Sequence, residues 1–438
     1  MLARELEPLL TRLDPLHGRD RAFALRFWDG SEIPATDGEP LFRIHVRSQD
    51  AFAYLLHAPG ELGLGRAWVS GALDVEGDLD QALALMRERL DGGRASIRSR
   101  LELLAAAARV GGLRRPPIPE SEARPRGRLH SLRRDSQAVR HHYDVPTDFY
   151  RLVLGPSLVY SCAYFESPDM TLAQAQEAKL DLICRKLDLR DGERLLDVGC
   201  GWGSLVLHAA ERYGVDATGV TLSPSQADEA RRRIAEAGLG DRCRVEVLDY
   251  RALHDGSYDK IASVGMYEHV GREELPRYAS TLAALLRPGG ALLNHGIARV
   301  RPARDRIGPF IDRYVFPDGD LQPVGQLLST LEAQQFELRH IETLREHYAI
   351  TLRCWVANLA AHREEAIRIA GAERERVWRL YMTGAAQAFE RGELGVYQTL
   401  AQAPGGMPAP RAAPVARTRP ARTRFRGRAR ARVPEARV

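Results

Sequence analysis

Between Leu195 and Gly203 the chain reads LLDVGCGWG, a short apolar run closed by Asp197 and followed by Gly199, Gly201 and Gly203 at every second position. The run suits a buried strand. The glycines let the backbone turn sharply against a flat ligand before a helix begins near Ser204. Such a turn between strand and helix is shared by several cofactor pockets, so by itself it indicates an adenosine-bearing ligand and leaves the chemistry open.

The elements that would position this turn follow in regular alternation. Strands are expected at Arg194–Val198, Asp216–Val220, Arg244–Leu248, Lys260–Val264 and Ala291–Asn294, with helices at Ser204–Tyr213, Ser225–Ala237 and Glu273–Leu286. Parallel strands joined by crossover helices give an α/β, doubly wound, mostly parallel sheet, which binds ligands at the carboxyl ends of its strands. The second strand lacks the acidic residue often used for ribose hydroxyls. GVTLSPSQ stands there instead, so Thr221, Ser223 or Gln226 would serve through neutral hydrogen bonds.

Composition sets the boundaries. The chain has 438 residues, 44% hydrophobic and 28% charged, enough for a large core and more than one domain. Residues 1–109, with a Leu-rich first helix, a strand within Leu41–Ser48 and a helix over Leu79–Leu90, read as a smaller N-terminal α+β domain. Residues 110–128, rich in Pro, Gly and Arg, read as a linker, and 129–400 as the catalytic domain. From 401 to 438 ten arginines face one acidic residue, Glu435, so this Pro/Ala/Arg tail is expected to be disordered. It carries +9 of charge and leaves −4 before it, out of a total of +5. Basic character therefore belongs to the tail and does not mark the pocket as a nucleic-acid site.

No apolar stretch reaches the roughly 20 residues of a membrane span, and MLARELEPLL has no signal-peptide pattern. A cytoplasmic protein is the expectation. Cys162, Cys184, Cys200, Cys243 and Cys354 show no zinc spacing or disulfide framework, and no metal is expected.

The glycines of DVGCGWG fall at the first, third and fifth positions, unlike GxGxxG, and the motif resembles the first motif of class I S-adenosylmethionine methyltransferases. Together with the segment His141–Leu189, GVTLSPSQ, SVGMYEHVG, RPGG and the HGI at His295–Ile297, it resembles the cyclopropane-fatty-acyl-phospholipid synthases over roughly Ser136 to Ala401. The resemblance implies a seven-stranded methyltransferase sheet and S-adenosyl-L-methionine as methyl donor. Tyr160, Ser161, Asp197, Gly199, Gly201, Trp202, Gly203, Thr221, Ser223, Gln226, Asp249 and Tyr250 would bind it, with Asp249 and Tyr250 at the adenine edge. Asp249 could equally cap a following helical turn.

It also implies a bound bicarbonate held by Cys162 of YSCAY, Glu268 of YEHVG, His295, the backbone of Ile297, and Tyr348 of EHYAITLRCW. Cys162, His295 and Tyr348 would donate to the anion, and Glu268 would orient His295 and keep the ion basic. Each also has a plain reading as a core or helix-start residue. A nucleophilic role for Cys162 is disfavoured, because transfer from a sulfonium needs no covalent intermediate. Tyr164, Phe165, Tyr267, Tyr314 and Phe316 could face a passing cation or line an acyl tunnel, although most suit the core.

The chemistry implied is methylene transfer to the cis double bond of an unsaturated phospholipid. A weak nucleophile must meet the activated methyl group in a dry, aligned pocket, and a base must then remove a proton from the transferred carbon. Loss of a different proton would give a methylene-branched fatty acid for a partner reductase to saturate. A phospholipid substrate implies peripheral association with the inner face of the membrane, and the resemblance implies the N-terminal domain as the candidate for membrane docking or dimerisation, with a homodimer as a candidate assembly. A methyltransferase acting on nucleic acid would need an acidic-prolyl-aromatic amine-binding signature, which the catalytic blocks lack.

Overall fold

The computed structural model describes residues 2–13, 21–36, 38–92, 105, 108–110, 114–129, 131–143, 145–254, 258–300 and 307–405. Its main sheet is built outward from β5 (Arg194–Val198), whose last four residues are buried. Strands β6 (Asp216–Thr221) and β8 (Tyr258–Val264) flank β5 in parallel, β7 (Cys243–Val247) extends β6, and β9 (Leu286–Arg299) extends β8. On the far side β11 (Leu394–Gln402) inserts antiparallel between β9 and β10 (Glu337–Thr343), giving the order β10-β11-β9-β8-β5-β6-β7.

The expected doubly wound sheet is therefore present with seven strands. The connection reverses at β5, between β6 and β8, which opens a crevice at the carboxyl ends of these strands. Sequence periodicity located β5 through β8 and shortened β9, which runs on as a buried strand to Arg299. β11 ends at Gln402, so the catalytic fold passes the expected limit at residue 400. The Arg-rich tail lies outside the described residues from 406 onward.

The N-terminal region holds its own sheet, in the order β2 (Glu32–Ile33), β1 (Ala24–Phe27), β3 (Phe42–Val46), β4 (Leu73–Gly77), with β1 and β3 parallel. It does not stand apart, because residues 1–406 form one compact unit. Trp68 is buried in the same core as Phe149 and Trp355. Its indole Nε1 donates to the Arg376 carbonyl at 2.9 Å, and the Arg376 guanidinium lies 4.3 Å over its ring.

The described part of the expected linker is likewise a packed strap. The Glu122 carboxylate is buried and receives both Arg66 nitrogens, at 2.7 and 2.8 Å, and the Ala123 amide donates to Arg313 at 2.7 Å. Proline content made the segment look free, whereas one buried, doubly bonded carboxylate ties it down. Among the described residues no helix is long and apolar enough to cross a membrane.

Candidate active site

A cavity opens where the switch of strand order places it. Its lining comes from the turn after β5, the ends of β6, β7 and β8, and the segment Leu158–Ser161. Gly199, Gly201 and Gly203 all have positive φ, at 82°, 55° and 76°, a region costly for side-chain-bearing residues. A Cβ on Gly201 would meet nothing within 4 Å, so this glycine presents bare backbone to open space. Gly203 differs: its Cβ would sit 3.0 Å from Ala230, and its role is to pack two helices together.

Of the residues expected to bind the cofactor, Tyr160, Ser161, Asp197, Gly199, Gly201, Trp202, Thr221, Gln226, Asp249 and Tyr250 line this cavity. Gly203 and Ser223 do not line it. Ser223 is the N-cap of helix Pro224–Glu236, accepting from the Gln226 amide at 3.3 Å, which accounts for its hydroxyl locally. Thr221 donates to Gln226 Oε1 at 2.7 Å, which orients the amide of Gln226.

Asp249 is both cap and ion-pair partner. It accepts the Arg251 amide at 2.9 Å and its guanidinium at 2.7 and 2.8 Å, and Arg251 bridges on to Asp135 at 2.8 Å. This side of the cavity thus carries a fixed arginine, and the plain capping role of Asp249 is present. Arg251 drew no notice in the sequence because its partner Asp135 lies far away in the chain.

Lys179 is a second residue that only the fold reveals. It reaches from helix Leu172–Leu187 into the cavity and donates to Ser161 Oγ at 2.8 Å. Burial lowers its pKa to about 8, and burial raises that of Asp197 to about 7, with the lysine charge opposing the latter shift. Asp197 Oδ1 is buried without a hydrogen-bond partner. A cation and a carboxylate therefore share this end of the cavity.

The residues expected to hold an anion, Cys162, Glu268, His295, Ile297 and Tyr348, do not line this cavity. Glu268 sits in the single turn Tyr267–His269, next to the cavity-lining Met266 and His269. Its Oε1 accepts the Ile297 amide at 2.7 Å, and its Oε2 is buried without a partner. Burial raises its pKa to about 7. His295 on β9 has an unpartnered, buried Nε2, while its Nδ1 faces Gln398 Nε2 at 3.1 Å. Burial pushes the imidazole well below its ordinary pKa, with the charges of Lys179 and Lys186 acting in the same direction.

Two expectations need correction here. The side chain hydrogen-bonded to His295 is Gln398, not Glu268. Ile297 is engaged on both sides, its amide on Glu268 and its carbonyl accepting Tyr267 OH at 2.8 Å, so it holds Glu268 in place. Cys162 is fully buried, and its thiol points to the carbonyls of Ala163 at 3.1 Å and Leu344 at 3.6 Å. Desolvation pushes that thiol pKa strongly up, which rules against a thiolate nucleophile. Tyr348 is buried in the same core as Cys162, and its raised pKa reflects burial first, then the nearby Tyr381, Cys162 and Glu268.

Aromatic rings cluster next to the cavity-lining Tyr160 and Trp202, with Phe316 the member of the expected set that joins them. Tyr160 lies 5.4 Å from Trp355 and 5.5 Å from Trp378, Tyr150 lies 4.6 Å from Trp202, and Phe316 lies 5.6 Å from Tyr381. Tyr314 instead donates to Glu122, and Tyr164 packs on His347 at 4.8 Å. Trp378 and Tyr381 were hidden from sequence reading because one turn of helix Ala372–Glu390 looks like any apolar face.

Comparison with known proteins adds the chemical setting. The family model described as mycolic acid cyclopropane synthetase matches residues 130–399. A protein described as a probable fatty acid methyltransferase from Mycobacterium tuberculosis is 42% identical over 388 residues, spanning 85% of this chain and 89% of that protein. One of the same description from Pseudomonas putida is 39% identical, spanning 90% of this chain and 96% of its own length. The crystal structure of mycolic acid cyclopropane synthase CmaA1 complexed with SAH and CTAB superposes with a TM-score of 0.58 at 36% identity, covering 61% of this chain and 98% of that one.

Proposed function

Because this chain belongs to the mycolic acid cyclopropane synthetase family, we propose that it converts the cis double bond of an unsaturated phospholipid acyl chain into a cyclopropane. It is an S-adenosylmethionine-dependent C-methyltransferase of lipids. When bound, S-adenosylmethionine supplies an activated methyl group and bicarbonate supplies the base.

The cavity suits the methyl donor. Bare backbone at Gly201 admits a close ligand, and Lys179 and Asp197 offer opposite charges to the amino-acid end of the molecule. The oriented Gln226 amide can meet ribose hydroxyls, and Tyr250 with Arg251 borders the adenine side.

The observation that carries the reading is that Glu268 Oε2 and His295 Nε2, atoms of two residues expected to hold an anion, are each buried without a hydrogen-bond partner. A buried polar atom without a partner costs stability, so a small hydrogen-bonding ligand is the economical explanation. Bicarbonate fits, since it can accept from an imidazole N–H and donate its own O–H to a carboxylate. His295 and Glu268 would hold it, with Tyr348 and Cys162 closing the surroundings. Aromatic faces around Tyr160 exclude water and favour a passing positive charge.

A second reading rests on the relatives that match 85% and 90% of this chain, N-terminal region included, which carry fatty acid methyltransferase names. In that reading a different proton leaves and a methylene-branched chain results, for a reductase to saturate. Docking at the inner membrane surface, through the N-terminal region, brings the acyl chain to the site in either case.

The test uses purified full-length protein, methyl-labelled S-adenosylmethionine and vesicles of either monounsaturated or fully saturated phospholipid. Label should enter only the unsaturated lipid. Equal labelling of both, or of neither, would overturn the assignment.

A further inference from the structure

His295, Gln398 and Glu342 stand in one row across three strands. On β9 and β11, His295 pairs directly with Gln398, and on β11 and β10, Gln398 pairs directly with Glu342. Cross-strand partners project to the same face of a sheet, so their side chains meet. Lys186, from helix Leu172–Leu187, reaches this row and bonds both Gln398 Oε1, at 2.6 Å, and Glu342. Gln398 is fully buried, and His295 nearly so.

The polarity of this row is fixed by chemistry. A lysine ammonium can only donate, so the atom of Gln398 facing Lys186 must be the amide oxygen. The amide nitrogen then faces His295 Nδ1, at 3.1 Å, and can only donate to it. Nδ1 must accept, and the ring proton resides on Nε2, the buried atom without a partner. We propose that Gln398, oriented by Lys186, is a positioning residue that keeps the His295 proton on Nε2, so that the ring offers a donor to the anion site. The inference rests on the reading of that site given above. The positive charge of Lys186 beside the row, with Lys179, also opposes protonation of the ring.

The test starts from wild-type full-length protein labelled with nitrogen-15 histidine, with His295 assigned by its loss in His295→Asn. A pyrrole-type Nε2 with a pyridine-type Nδ1 is expected, and the reverse pattern or a doubly protonated ring would overturn the proposal. In Gln398→Glu the carboxylate can only accept, so the proton should move to Nδ1 and kcat should fall about 10–100-fold, the range typical of partners behind a reacting group. Binding of S-adenosylhomocysteine should be unchanged.

Lys186→Met lets the amide turn and should give mixed tautomers with a smaller loss. It also serves if Gln398→Glu does not fold. Unchanged tautomers in both variants, or a changed tautomer with undiminished kcat, would refute the role. If wild-type protein shows the expected tautomer but makes no lipid product, the reaction assigned above fails while the ring assignment stands.

Discussion

One oxygen of Glu268 is held by Ile297 and the other is left for chemistry. Oε1 accepts the Ile297 amide at 2.7 Å, whereas Oε2 is buried with no partner of its own. Glu268→Gln keeps the volume and the bond to Ile297 and removes the charge. Turnover should fall at least about 100-fold, the usual scale for loss of a positioned acid–base group, with S-adenosylhomocysteine affinity unchanged by calorimetry. Normal turnover in this variant would remove Glu268 from the mechanism.

The same burial makes a stability prediction. Glu268 rises from an ordinary value of 4.5 to about 7, so between these values the folded protein binds more protons than the unfolded chain. Stability contributed by the protonated form is therefore lost as pH rises from 4.5 toward 7. Glu268→Gln should gain relative to wild type across this window, by up to about 3 kcal/mol at pH 8. Urea melts of both proteins at pH 5 and pH 8 would show it, and a pH-independent difference would contradict it.

Lys179 and Ser161 should matter to cofactor rather than to lipid. Lys179→Met removes the donor, leaves the stem and relieves a buried charge. S-adenosylhomocysteine binding should weaken about 10–100-fold, as expected for loss of a charged hydrogen bond, without a drop in melting temperature. Unaltered binding would show that the ammonium serves only Ser161.

Gly201 and Gly203 separate ligand access from packing. Gly203→Ala brings a Cβ within 3.0 Å of Ala230 and should lower stability by more than the backbone strain of about 1–2 kcal/mol. Gly201→Ala carries the strain alone, because its Cβ meets open space, yet should weaken cofactor binding more. Paired melting and titration curves would reveal the crossover, and matching behaviour of the two variants would contradict it.

Removal of bicarbonate is the complementary experiment. Purging carbon dioxide from wild-type assays should slow turnover, and added bicarbonate should restore it. Turnover indifferent to both would dissociate Glu268 Oε2 and His295 Nε2 from the proposed anion.

The sequence made the lining of the cavity legible because it is local: one strand, one glycine turn and the next strand end carry much of it. Even there, Gly203 and Ser223 serve packing and capping, functions that share their residue types with ligand binding. The surroundings of His295 depend on strand register. Gln398 sits on β11, an antiparallel strand inserted from the far end of the chain, and its effect on His295 exists only once those strands align. Lys179, Lys186 and Arg251 were invisible for the same reason, since a charged residue on an amphipathic helix or in a loop reads as solvent-facing until the fold buries it. The Pro-rich strap over residues 114–129 shows the opposite error, where composition suggested freedom and the single buried Glu122 decides otherwise.

The most direct measurement is the proton NMR spectrum of lipid recovered after incubating the purified protein with S-adenosylmethionine and monounsaturated phospholipid vesicles. Both candidate products gain one CH2, so mass alone cannot separate them. High-field cyclopropane signals replacing the olefinic ones are the predicted result. Vinylidene signals, or an unchanged olefinic chain, would contradict it.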